Sequence, residues 1–309
     1  MKPKKNPPKM ISRRTLCQHH EPFLRDLRKR KPETRGTYER ALREFFRWLE
    51  KEGKFAASVD GVERYKTYLL KKKKLSPVSV STYLTALRAF FKYLVQAGVL
   101  HENPATGVKG GKRPLTHSRE TLTADQIAQV MQSVELIDER THRDFAVLKA
   151  MAVCGLSEIE LIRANIGDLK TVDGVLLFYV QSKGMTSKET VIILPPEVKD
   201  AFSAYLMYRS ESEGTEPLFM STGNRTRGKR MTTRGIRERV NFYLEKANIK
   251  NGKIRRITPF SLRHSAATLL AAQGASIEEI QARFHIATPA TARMYMKSPD
   301  ESTTIESTK

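Results

Sequence analysis

Cysteine is nearly absent from this 309-residue chain, which holds only Cys17 and Cys154. Two thiols so far apart in sequence exclude a disulfide framework and a cysteine-based zinc site. Cys154 sits in an apolar stretch and reads as a buried free thiol. The His19-His20 pair has no Cys or carboxylate at ligand spacing, so no metal site is expected. No run of 18 or more apolar residues occurs, which argues against a membrane span and a membrane partner. The basic N-terminus lacks an apolar core, so it is not a secretory signal. Acidic residues are also scarce, at 33 against 55 Lys and Arg, for a formal charge of +22. That imbalance, with a pI near 10.0, points to a polyanionic partner. The cations are spread along the chain, so a broad surface rather than one tail is expected to face nucleic acid.

Residues 1–31 carry eleven Lys and Arg against two acids and read as a flexible basic arm, helical towards its end. A helical block is expected over 32–102. Leu42, Phe45, Phe46 and Leu49 form one apolar helix face, which Gly53 ends. A second helix is expected from Val59 to Leu70, ahead of the Lys71–Lys74 run. A third starts at Ser76-Pro77, with Val80, Leu84, Leu87, Phe91 and Leu94 along one face. Lys72, Arg88 and Lys92 lie off the apolar stripes and are candidate phosphate contacts. Residues 103–118 hold Asn103-Pro104, Gly107, Gly110-Gly111 and Pro114, with no periodicity. They read as a basic linker whose reach would let two domains close around a duplex.

A second domain is expected over 119–298, with a loose polar tail at 299–309. Thr123 to Gln126 resembles a capping box. Residues 142–164 read as one mostly apolar helix. Asp173-Gly174 is a hairpin signal, followed by a strand at Val175–Val180, a polar turn at 181–189 and a strand at Val191–Leu194. Pro195-Pro196 opens a helix to about Tyr208. A basic loop at 222–234 leads into a helix at 233–247, where Arg230, Arg234 and Arg237 are further candidate DNA contacts. The fold class is therefore mainly α with a small antiparallel sheet, in two domains.

The chemistry concentrates near the end of the chain. Tyr295 follows His285 by ten residues and the Arg263-His264 dipeptide by thirty-two. A phenol, with an unperturbed pKa of about 10, is a weak nucleophile unless it is activated. An Arg holding non-bridging phosphate oxygens and a His bonding one of them would stabilise the developing charge.

At these residues the chain resembles the tyrosine recombinases of the phage-integrase and Xer type. Thr258-Pro-Phe-Ser-Leu-Arg-His264 is similar to the family's second box, and Phe284-His285 with Tyr295 to its third box and nucleophile. Gly155-Leu156 through Glu160-Leu161 is similar to its first box, and Ser182-Lys183-Gly184 falls in the turn that carries a catalytic Lys. The resemblance covers about residues 20–297. It implies that Tyr295 is the nucleophile, that Arg263 and His285 hold the phosphate, and that Lys183 is the general acid for the 5′-hydroxyl leaving group. His264, Glu160 and Ser157 are implied as supporting residues. Two departures stand out: Ser157 replaces the first Arg and Phe260 the first His of the second box. Ser157 offers one neutral hydrogen bond where a guanidinium offers a charged fork. Arg163, Arg255 and Arg256 are candidates to supply the missing cation, although Arg163 lies about 240° around a helix from Ser157.

The activity implied is site-specific cutting and rejoining of DNA through a 3′-phosphotyrosyl intermediate, with no cofactor, because the covalent bond conserves the phosphodiester energy. The implied partners are double-stranded DNA with inverted-repeat sites, a dimer then tetramer of the chain on that DNA, and a second recombinase or accessory protein. The expected location is cytoplasmic and nucleoid-associated. Without a long arm-binding segment, a simple recombinase is expected rather than a large phage integrase. The alternatives are a catalytically impaired relative acting as a DNA-binding regulator, a type IB topoisomerase, and a general chromosomal binding protein.

Overall fold

A computed structural model describes residues 10–29, 32–111, 120–182, 185–209, 213–250, 257–286 and 288–296. Lys183, Arg255, Arg256, most of the second half of the expected linker and the 299–309 tail lie outside the described residues. The chain divides into two compact units, Met1–Pro114 and Leu115–Lys309.

In the first unit a short strand β1 (Met10–Ser12) leads into α1 (Arg13–Asp26). Then follow α2 (Pro32–Glu52), β2 (Lys54–Ala56), α3 (Val59–Thr67) and α4 (Pro77–Gln96). The expected apolar faces are the core: Leu42, Phe45 and Leu49 of α2 and Val80, Leu84, Phe91 and Leu94 of α4 are fully buried. Phe45 sits at its centre, meeting Phe55, Tyr65 and Phe91 edge-on at 5.5, 5.1 and 6.0 Å, an arrangement that the aromatic quadrupoles favour.

Two sequence expectations change here. From residue 10 onward, the flexible arm is part of this domain. β1 pairs antiparallel with β2, Ile11 opposite Phe55, and α1 buries Leu16 and Phe23 in the same core. The Ser12 hydroxyl caps α1 by accepting from the Thr15 N–H at 3.1 Å. Local charge density hid three buried apolar residues spaced for packing. Likewise residues 103–111, read as linker, lie against α4. Ala105 and Val108 are buried, and Arg88 donates to both of their carbonyls, at 3.1 and 2.9 Å. An aperiodic segment without helix or strand can still be held by a side chain from a neighbouring helix.

The second unit runs α5 (Ala124–Gln132), α6 (Glu139–Val153), α7 (Glu158–Arg163), β3 (Leu169–Val172), β4 (Val175–Val180), β5 (Thr190–Ile193), α8 (Pro196–Leu206), α9 (Thr233–Lys246), α10 (Pro259–Ala272), α11 (Ile277–Phe284) and α12 (Pro289–Met296). Thr123 and Gln126 form the capping box at the head of α5. The sheet has three strands in the order β3-β4-β5, one more than the alternation showed, because β3 has only one partly covered position. Asp173 and Gly174 both take positive φ, 49° and 76°, as a two-residue turn joining Val172 to Val175 demands. The helix expected over 142–164 is broken into α6 and α7. Gly155 turns the chain with φ of +62°, and a Cβ there would come within 2.1 Å of the Phe284 ring. Tertiary contact with α11 therefore requires glycine at the break.

Candidate active site

The break at Gly155 frees the carbonyl groups and side chains that build the site. Ser157 caps α7, and its backbone N–H and hydroxyl both donate to Oε2 of Glu160, at 2.7 and 2.6 Å. Arg263 of α10 donates to the same oxygen at 3.1 Å and to the Gly155 carbonyl at 2.6 Å. Its other terminal nitrogen donates to the Phe284 carbonyl. One guanidinium thus ties the α6–α7 break, α10 and the end of α11 together. Its side chain is 12% exposed and that of Glu160 3%, so the pair is largely desolvated. A charge in that setting needs its counter-charge and hydrogen bonds.

His285 follows Phe284 at the C-terminal end of α11 in the left-handed conformation, φ 51°. Its Nε2 is buried and has no hydrogen-bond partner among the described residues. Burial pushes its pKa below 6.5; Glu160 opposes that shift and Arg263 reinforces it. The imidazole is therefore neutral at pH 7, available to donate or accept one bond to an arriving oxygen.

Tyr295 projects from α12 and is 6% exposed. Its ring lies 5.4 Å from that of His264, which in turn meets Phe260 edge-on at 4.7 Å. Phe260 thus packs against His264 of its own helix, α10. Tyr295 also shares a small core with Ala267, Phe284 and Ala292. Six residues picked out from sequence, Ser157, Glu160, Arg263, His264, His285 and Tyr295, fall on helices that converge on this region. Arg163 does not join them through any hydrogen bond to a described residue; its Nη1 is buried and has no partner among them.

The expected DNA contacts are more scattered. Lys72 and Lys92 are exposed in the first unit, but Arg88 is occupied by the Ala105 and Val108 carbonyls. In the second unit Arg230 closes the C-terminal end of α7, donating to the Ile162 and Ala164 carbonyls at 2.8 Å each. Arg237 pairs with Glu158 at 3.1 Å, beside Ser157 in sequence, and Arg234 pairs with Glu238 on its own helix. Sequence reasoning missed the Gly155 and Phe284 carbonyls as anchors. It also missed a buried network in which Asp144 binds Arg143, Arg239 and Tyr243. The adjacent Arg-Asp pair inside an apolar helix was the available signal. Among the described residues no cluster could hold a metal ion, and no helix is long and apolar enough to cross a membrane.

Residues 120–302 match the family model described as the phage integrase family. Residues 16–99 match the phage integrase N-terminal SAM-like domain. Tyrosine recombinase XerC of Leptospira interrogans is 28% identical over 274 residues, covering 87% of this chain and 84% of that protein. XerC of Proteus mirabilis is 28% identical over 202 residues, 65% of this chain and 62% of its relative's length. The Tn1549 transposon integrase, solved with transposon right-end DNA, superposes with a TM-score of 0.71 at 19% identity, over 96% of this chain and 98% of that one.

Proposed function

The chain belongs to the phage integrase family of tyrosine recombinases, and from that premise we propose that it cuts and rejoins DNA at specific sites through a covalent bond to Tyr295. The observation that carries this reading is the Arg263 guanidinium, fixed by Glu160 and two carbonyls beside the neutral His285 and on the same helix as His264, against which Tyr295 packs. The Tyr295 hydroxyl loses its proton to solvent as its oxygen attacks the scissile phosphorus, and the bond to the 5′-oxygen breaks. Arg263 and His285 hold the non-bridging oxygens as their charge rises, the preorganised electrostatic stabilisation that acyl and phosphoryl transfer rely on. Lys183 supplies the proton to the departing 5′-oxygen. The 5′-hydroxyl of a partner strand then attacks the phosphotyrosine and reforms the diester. Inverted-repeat duplex sites, and dimers and tetramers of the chain on them, are part of the same proposal.

Ser157 shapes the energetics. Its hydroxyl is used by Glu160 and adds no charge at the phosphate. Loss of one transition-state donor costs about 10²–10³ in rate. The Tyr295 ring is largely buried and packs against His264.

The test is covalent trapping on nicked duplexes carrying the ends of the element that encodes the chain. A denaturant-resistant adduct that disappears in Tyr295→Phe is expected. Tight binding without an adduct would replace this reading with that of a DNA-binding regulator. Relaxation of supercoils lacking any specific site would replace it with a topoisomerase.

A further inference from the structure

Residues 181–189 join β4 to β5 and hold two lysines, Lys183 and Lys188. Lys183 lies outside the described residues, but Ser182 and Met185 do not. The hydroxyl of the buried Ser182 meets that of Thr190 at 2.9 Å across the neck of the turn. The Met185 N–H donates to the Ser182 carbonyl at 3.0 Å, and the Gln181 side-chain amide donates to the Met185 carbonyl at 3.0 Å. Residues on either side of Lys183 are thus tied to each other and to the start of β5. The far limb of the turn is held from outside it. The Lys188 ammonium binds Oδ2 of Asp168, and both side chains are only partly exposed. That same oxygen accepts the Asn165 N–H at 2.6 Å. Asp168 ends the single 3-10 turn, Ile166–Asp168, ahead of β3. Its carboxylate is therefore anchored by backbone independently of Lys188. A partly exposed ion pair adds little net stability, so what this one supplies is the place of the turn.

We propose that Asp168 and Lys188 are positioning residues for the general acid: their ion pair, with the Ser182–Thr190 bond at the neck, holds the turn so that the Lys183 ammonium reaches the departing 5′-oxygen. This rests on the recombinase reading, which makes Lys183 the acid. The pair also separates the roles of the two lysines, because the Lys188 ammonium is already engaged by Asp168. In the step they serve, the bond from phosphorus to the 5′-oxygen breaks and its electron pair stays on that oxygen. A proton moves there from the Lys183 nitrogen, which becomes a neutral amine. A positioned acid is worth about 10²–10⁴ in rate, and about 1 Å of misplacement can remove 10². A tie that adds little to folding can therefore matter to this one step.

Single-turnover adduct formation by the full chain is followed on two nicked duplexes carrying the element's ends. One has the ordinary 5′-oxygen at the scissile phosphate and the other a 5′-bridging sulfur. A thiol has a pKa of about 8.5, so the sulfur leaves as thiolate without a proton from an acid. Lys188→Gln and Asp168→Asn are each expected to slow the oxygen substrate about 10–100-fold, a share of what a positioned acid supplies. Both should leave the sulfur substrate at the wild-type rate. The double variant should lose no more than either single one, since the same pair is broken in all three. Lys188→Arg keeps the pair, but a guanidinium does not give up its proton; it should keep most of the oxygen rate. Equal loss on both substrates overturns the proposal by making the pair merely structural, and so does an unchanged oxygen rate. Lys188→Arg as slow as Lys188→Gln, with sulfur restoring both, also overturns it by making Lys188 the acid. Absence of any adduct from the wild-type chain on both substrates is a separate result, which removes the recombinase reading and this proposal with it.

Discussion

Ser157 and Arg263 hydrogen-bond to the same atom, Oε2 of Glu160. Ser157 brings two hydrogen bonds but no charge to that oxygen, so Arg263 is the cation paired with Glu160. Glu160 therefore helps to hold the Arg263 guanidinium in place. Glu160→Ala should leave Arg263 buried without its counter-charge, a change that costs about 3–5 kcal/mol in comparable buried pairs. Ser157→Ala removes one hydrogen bond to that carboxylate and should cost less, about 1.5–3 kcal/mol. Urea denaturation of the two variants checks this ordering; equal midpoints would contradict it.

Gly155→Ala tests the break between α6 and α7. The position has φ +62°, and the added carbon would meet the buried Phe284 ring at 2.1 Å. Left-handed strain costs roughly 1–2 kcal/mol and overpacking about 1–3 more. Thermal melting should report that loss. Because the Gly155 carbonyl anchors Arg263, adduct formation should fall further than the fraction of folded protein does.

His285 makes stability depend on pH. Burial lowers its folded-state pKa below 6.5, so the unfolded chain takes up the proton first. The corresponding stability is present above pH 6.5 and is lost as pH falls through the lower folded-state value. His20 is shifted in the same direction, also chiefly by burial. The melting temperature should thus drop between pH 7.5 and 5. His285→Gln and His20→Gln should each reduce that drop. If neither variant changes it, these imidazoles are not its source.

Asp144 should tolerate substitution poorly. It is 1% exposed at its side chain, binding Arg143 at 2.6 Å through one oxygen and Arg239 at 2.6 Å through the other. Arg143 in turn holds the Met220 carbonyl and the Thr222 hydroxyl, at 2.7 and 3.2 Å, at the base of the basic loop. Asp144→Asn strands a buried guanidinium and should cost about 3–5 kcal/mol. Arg234→Ala, on an exposed pair with Glu238, should leave the denaturation midpoint where it is. Duplex binding by Asp144→Asn should weaken as the loop carrying Arg225, Arg227 and Lys229 loses its tether.

Much of the helical framework is legible in the order of residues. Val80, Leu84, Leu87, Phe91 and Leu94 announce a buried helix face because periodicity is a property of neighbouring residues. Thr123 and Gln126, Asp173-Gly174 and Gly53 mark ends and turns through local backbone preferences, which the chain carries with it. Such local signals fail where burial competes with composition. The charge of residues 13–26 disguises a core helix. The aperiodic 103–111 segment offers no pattern, since what holds it is Arg88, more than a dozen residues away.

The same division runs through the site. The residue types at 157, 160, 263, 264, 285 and 295 and their spacing were determined by the sequence alone, and with them the family and the class of chemistry it carries. Only the tertiary structure decided which group each of those side chains meets. Hydrogen bonds from Arg263 to Gly155 and Phe284 span 108 and 21 positions of the chain. The tertiary structure decided, too, that Glu160 serves Arg263 and that Tyr295 lies covered against His264. Neither local propensity nor spacing encodes such pairings, because they arise when buried charges compete for a few polar partners in a space that folding creates.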